Sequence, residues 1–129
     1  MGEITKINGG ELITLIKEGG DLNKPFGQEV FLLETLLAGT THVENIKELE
    51  PDIKAGLKVN FYRETSNKFD PKAIVVKEEN GQKLGYIPKE KNEILSRLMD
   101  AGKLIYGIVD HKEYQGNWLK IKVKIYLDD

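Results

Sequence analysis

The chain of 129 residues contains no cysteine, which excludes a disulfide framework, a thiolate nucleophile and a thiolate metal site. Stability must therefore come from an apolar core. Histidine is nearly as scarce: His42 and His111 stand in different segments with no metal-ligand spacing around them. No HExxH, no nucleophile elbow and no Gly-rich phosphate loop occurs, and the acidic doublets Glu78-Glu79 and Asp128-Asp129 read as solvated surface. Together these gaps argue against an enzyme and against a bound metal or cofactor. Long apolar runs are missing too, since no stretch approaches the roughly 18 uninterrupted apolar residues of a membrane span. The first ten residues mix Glu3, Lys6 and Asn8 with glycines rather than forming a leader. The expectation is a cytoplasmic protein with no membrane association.

Charge of one sign is also lacking, with a formal net charge of -2, and this argues against an indiscriminate polyanion binder. The mean hides an asymmetry. Residues 1–56 hold 5 Lys/Arg against 10 Asp/Glu, whereas residues 57–129 hold 14 against 11. A surface for nucleic acid is therefore expected in the second part.

Residues 11–18 place Leu12, Ile13, Leu15 and Ile16 at helical spacing before Gly19-Gly20, which predicts a short amphipathic helix followed by a linker through residue 28. Residues 29–38 have the β-branched and aromatic content of a first strand, with Gly39 at a bulge or turn. Residues 44–53 predict a short helical or irregular crossing. Alternation at Leu57, Val59 and Phe61 predicts a half-buried strand over 57–63. A polar loop over 64–72 leads to a buried strand over 73–77. Asn80-Gly81 is a strong hairpin signal joining it to 83–87. Pro88 opens a helix over 89–100, with Ile94, Leu95, Leu98 and Met99 predicted on its inner face. Two strands, 104–111 and 118–127, flank a turn at 115–117. The order implies an α+β fold, an OB-like, partly open small β-barrel over residues 29–129 with residues 1–28 as an extension.

In the last strand Leu119, Ile121, Val123, Ile125 and Leu127 point one way, and Trp118, Lys120, Lys122, Lys124 and Tyr126 the other. One face builds core. The other offers rings for base stacking and cations for phosphates, or else three lysines that only solvate an outer strand.

The run Leu57-x-Val-x-Phe-Tyr-Arg63-Glu64-x-x-Asn67-x-Phe69-Asp70-Pro71-x-Ala73-Ile74-x-Val76, with Gly85-Tyr86-Ile87-Pro88 after it and a helix ending Leu98-Met-Asp-Ala-Gly102, closely resembles the HIRAN domain over about residues 29–127. The resemblance implies an OB-like barrel that captures the 3′ end of single-stranded DNA. It matches Phe69 and Asp70 to the aromatic-Asp pair that holds the terminal nucleotide, and Tyr86 and Lys89 to positions lining the same groove. An ionised carboxylate repels phosphate but accepts a hydrogen bond from a hydroxyl, so Asp70 would favour a free 3′-hydroxyl. Asn67 and Asp70 serve equally well as turn residues satisfying loop amides. Arg63 has two uses open to it, a phosphate contact or a clamp on the loop through Asp70 or Glu64, and the clamp is preferred. Tyr86 as core and Lys89 as free surface are the plainer alternatives.

Where DNA-binding members of the family carry an arginine-tyrosine pair after the first strand, this chain has Thr41 and His42. One cation and one ring are thereby removed; His42 either stacks or contacts phosphate, or is simply solvated. Thr65 replaces the proline common after the Arg-Glu pair. The expected partner is single-stranded DNA, with RNA open. The rival reading is a protein-interaction module in which the barrel edge or the N-terminal helix docks on a partner or a second copy.

Overall fold

The computed structural model describes residues 29–128, so the helix expected at residues 11–18 lies outside the described residues. Six strands form one sheet: β1 (Glu29–Leu36), β2 (Lys58–Arg63), β3 (Ile74–Glu78), β4 (Lys83–Tyr86), β5 (Leu104–Gln115) and β6 (Trp118–Asp128). Their order is β1-β6-β5-β2-β3-β4. A 3-10 turn (Thr40–His42), a one-turn helix α1 (Ile46–Leu49) and a second 3-10 turn (Glu50–Asp52) carry the chain from β1 to β2, and α2 (Lys89–Asp100) joins β4 to β5.

The two outermost strands almost meet. Just past β1, Ala38 forms an isolated antiparallel bridge with Tyr86 of β4, its N–H donating to the Tyr86 carbonyl at 2.7 Å and the Tyr86 N–H donating back at 2.8 Å. This curls the sheet into the expected partly open barrel, which resembles OB-like folds. Close approach at the seam depends on Gly85, because a Cβ there would sit 2.7 Å from the Ala38 carbonyl oxygen. The chain then turns out of β1 at Gly39, whose φ of 73° suits glycine.

The alternation in β6 holds. Leu119, Ile121, Val123 and Ile125 are buried and join Val59 and Phe61 of β2, Ile74 and Val76 of β3, Leu84 of β4 and Val109 of β5 in one core. Each such side chain contributes about 1.5–3 kcal/mol by leaving water. Two expectations need correction. The final hairpin is longer than periodicity suggested: β5 runs on to Gln115, which pairs with Trp118, leaving only Gly116-Asn117 as the turn. Helix α2 departs at one of its four expected apolar positions: Leu95, Leu98 and Met99 pack on the core, but Ile94 is 60% exposed while Asn92 and Ser96 are buried. The buried polar position follows from what α2 covers, because Asn92 faces a polar partner in the loop after β2 rather than the apolar core.

Candidate functional site

The loop of residues 64–73 is built around Asn67 and Arg63. The Asn67 Oδ1 accepts the N–H groups of Phe69 at 2.8 Å and Asp70 at 3.0 Å, which folds the tip back on itself. The Asn67 Nδ2 donates to Glu64 Oε1 at 2.8 Å. At the loop base the Arg63 guanidinium donates to the carbonyls of Pro71 and Ala73 at 3.1 and 3.2 Å. Its other edge makes a two-pronged pair with Asp100 at the end of α2, at 2.9 and 3.2 Å. Arg63 is thus a clamp, but its carboxylate partner is Asp100 rather than Asp70 or Glu64. Arginine's planar fork matches a carboxylate in this way.

Asp70 is fixed from two sides. Its Oδ1 accepts the Lys72 N–H at 2.9 Å and its Oδ2 accepts Asn92 Nδ2 at 2.7 Å. The Lys72 amide first, and then Asn92, hold the Asp70 carboxyl below its ordinary value, so it is an anion near neutral pH. Two hydrogen bonds leave acceptor capacity on both oxygens. Tyr86 lies across from the loop, its hydroxyl donating to Glu64 Oε1 at 2.7 Å and accepting from Lys83 Nζ at 3.1 Å. Glu64 is likewise lowered, chiefly by the bond from Asn67 and then by that from Tyr86.

These groups enclose a pocket of about 440 Å³. Its lining comes from Asn67, Phe69, Asp70 and Ala73 of the loop, from Tyr86 and Ile87 at the end of β4, and from Lys89 and Asn92 in the first turn of α2. Phe69 is 88% exposed, an unusual position for a phenyl ring that contributes nothing to the core. An adjoining depression of about 280 Å³ shares Asp70, Lys89 and Asn92 and adds Lys72 and Glu93. The pocket therefore offers an exposed ring, a fixed carboxylate with spare acceptor capacity and one ammonium group.

Five of the expected site residues, Asn67, Phe69, Asp70, Tyr86 and Lys89, meet in this pocket. Arg63 supports it from beneath. Thr41 and His42 are exposed on the 3-10 turn that follows Ala38 and Gly39, outside the pocket lining. Trp118, Lys120 and Lys122 are elsewhere, on the outer face of β6. Lys120 lies over the Trp118 ring at 5.5 Å and 3.9 Å from Glu113, and Lys122 is 3.3 Å from Glu34. Sequence reasoning missed Asn92 and the bridging role of Glu64. A polar residue on the buried stripe Asn92-Leu95-Ser96 of α2 was the available signal for Asn92.

Among the described residues no cluster of His, Asp or Glu is arranged to hold a metal, and no helix is long and apolar enough to cross a membrane. A family model described as the HIRAN domain matches residues 30–128. No curated protein sequence matches the chain closely enough to count as a relative. Among solved structures, the chain is similar to a protein from Lactobacillus plantarum, a structural genomics target, with 28% identity and a TM-score of 0.73 over 80% of this chain and 98% of that one. The crystal structure of the HIRAN domain of human HLTF is similar at 20% identity and a TM-score of 0.59, over 77% of this chain and 78% of that one. The HLTF HIRAN domain in its DNA-bound conformation, an NMR structure, gives 19% identity and a TM-score of 0.54, covering 77% and 79%.

Proposed function

Because the chain belongs to the HIRAN domain family, we propose that its pocket binds the end of a single nucleic-acid strand that carries a free 3′-hydroxyl, and that it does so without covalent chemistry. The observation that carries this reading is the pairing, within one pocket, of the exposed Phe69 ring with an Asp70 carboxylate held ionised by the Lys72 amide and Asn92. A base stacks on Phe69, and the terminal hydroxyl donates to Asp70. Lys89 reaches the phosphate that links the last two nucleotides, and Tyr86 lines the same pocket. A 3′-phosphate would bring a second anion against Asp70 and be repelled. One relative supports the partner class, since an HLTF HIRAN domain has a DNA-bound conformation. For Lys120 and Lys122 to hold phosphates they must exchange Glu113 and Glu34 for them. An end-binding module of this kind belongs to DNA repair or replication-related processes.

The test is fluorescence anisotropy at low salt with short DNA and RNA oligonucleotides ending in hydroxyl or in phosphate. Wild type should bind the hydroxyl form preferentially. Asp70→Ala should erase that preference, and Phe69→Ala should weaken binding by about 5- to 150-fold, the worth of one stacked base. Equal binding of both ends by wild type would refute end recognition, and no binding of any oligonucleotide would shift the function to protein partners.

A further inference from the structure

The outer face of the β2–β4 half of the barrel carries a pattern that the pocket does not use. Tyr62 pairs with Val75 and Val75 with Tyr86, so the two tyrosines share one transverse row, two strand spacings or about 9.5 Å apart. The adjoining row pairs Lys77 with Lys83. Each lysine covers a tyrosine: Lys77 Nζ lies 5.2 Å from the Tyr62 ring centroid, and Lys83 Nζ 4.4 Å from that of Tyr86. A third such pair, Lys58 over Tyr106 at 5.0 Å, continues the arrangement onto β5. Tyr62 is 46% exposed although it lies mid-sheet on a strand with neighbours on both sides.

Charge separates this face from the outer face of β6. There Lys120, Lys122 and Lys124 each lie within salt-bridge distance of Glu113, Glu34 or Asp110. Among the described residues no salt bridge engages Lys58, Lys77 or Lys83. The acid that both Lys77 and Lys83 act on is Glu64, whose Oε1 is already taken by Asn67 and Tyr86. A ring beneath a lysine on an outer sheet face is suited to a base above the ring, with the lysine moving aside to a phosphate.

We propose that the outer face of β4, β3 and β2 is the track of a single nucleic-acid strand leaving the end pocket. Tyr86 is shared by both: it closes the pocket and begins the track. The next bases stack towards Tyr62, and Lys83 and Lys77 take the intervening phosphates. This inference rests on the end-binding reading for its starting point but makes a separate claim, that affinity grows with strand length.

The experiment compares a dinucleotide and a ten-nucleotide strand, both with 3′-hydroxyl ends, and the same ten-nucleotide strand with a 3′-phosphate. Binding is measured to wild type, Lys77→Glu, Tyr62→Ser and Lys47→Glu, the last a matched charge change on the exposed face of α1. Wild type and Lys47→Glu should bind the longer strand at least ~10-fold more tightly than the dinucleotide, as one or more added stacked bases imply. Lys77→Glu and Tyr62→Ser should lose that gain and keep dinucleotide binding. A length gain that survives both variants, or no length gain in wild type, overturns the track and leaves the pocket intact. Equal binding of hydroxyl and phosphate ends, with a length gain that Lys77→Glu abolishes, overturns end selection and leaves the track. Absence of all binding overturns both. Lys77→Glu alone keeps the test decisive if Tyr62→Ser fails to fold.

Discussion

Removing the Arg63 guanidinium would take its donor from the Pro71 carbonyl and the Asp100 carboxylate, and would leave the Ala73 carbonyl with the Glu64 N–H alone. The Arg63 side chain is only 17% exposed, so the loss is larger than for a surface pair. Arg63→Ala should lower unfolding free energy by about 1–3 kcal/mol, measured by chemical denaturation, and Arg63→Lys should restore less than half because an ammonium cannot make the forked contact. The same substitution should reduce binding to hydroxyl-ended strands, since the loop it holds carries Phe69 and Asp70. Acid acts on neighbouring groups. The Asp70 and Glu64 carboxyls titrate below their unfolded values, so what they contribute is present above the ordinary carboxylate range and is lost as pH falls through the lower folded values. Hydroxyl-end binding should therefore be level from pH 7 to pH 5 and fall only in stronger acid. A decline centred above pH 5 would show that Asp70 is not the acceptor.

Helix α2 separates what periodicity reveals from what contact decides. Leu95→Ala should cost about 2–5 kcal/mol, because it empties a fully buried site. Ile94→Lys should change stability by less than about 0.5 kcal/mol, because the side chain is 60% exposed. Thermal or urea unfolding of the two variants tests whether Ile94, which sequence spacing put beside Leu95 on the inner face, lies outside it. The strands, the Asn80-Gly81 hairpin and the inner face of β6 were legible because each is written in local alternation or turn chemistry. So was the Asn67 to Asp70 half of the pocket, whose residues lie close together in the chain. The Ala38–Tyr86 seam, the pairing of Arg63 with Asp100 and the grip of Asn92 on Asp70 were not. Each depends on where elements distant in sequence come to rest, and no local pattern encodes that. The β6 lysines were legible as outward-facing, but the carboxylates opposite them were set by strand register.

Over the molecule as a whole, charge is nearly balanced, and the densest lysine row is already occupied by its own carboxylates. Long-range attraction for a polyanion should therefore be weak, and recognition should depend on short-range contacts. If Lys89, Lys83 and Lys77 are the main phosphate contacts, the slope of log affinity against log salt for a ten-nucleotide strand should be about -2, at roughly 0.7 per phosphate on a single strand. A titration between low and moderate salt measures it, and a slope several times steeper would require the β6 lysines to open their ion pairs.

The bridge between Ala38 and Tyr86 also couples occupancy to the opening of the barrel. It joins the β1 side of the sheet to β4 by two backbone hydrogen bonds, and one of its two residues lines the pocket. A ligand that prefers the closed seam makes fraying at that edge rarer in proportion to its saturation. Deuterium uptake at the Ala38 and Tyr86 amides, which donate across the seam, should slow when a strand end is bound, even though neither amide touches the ligand.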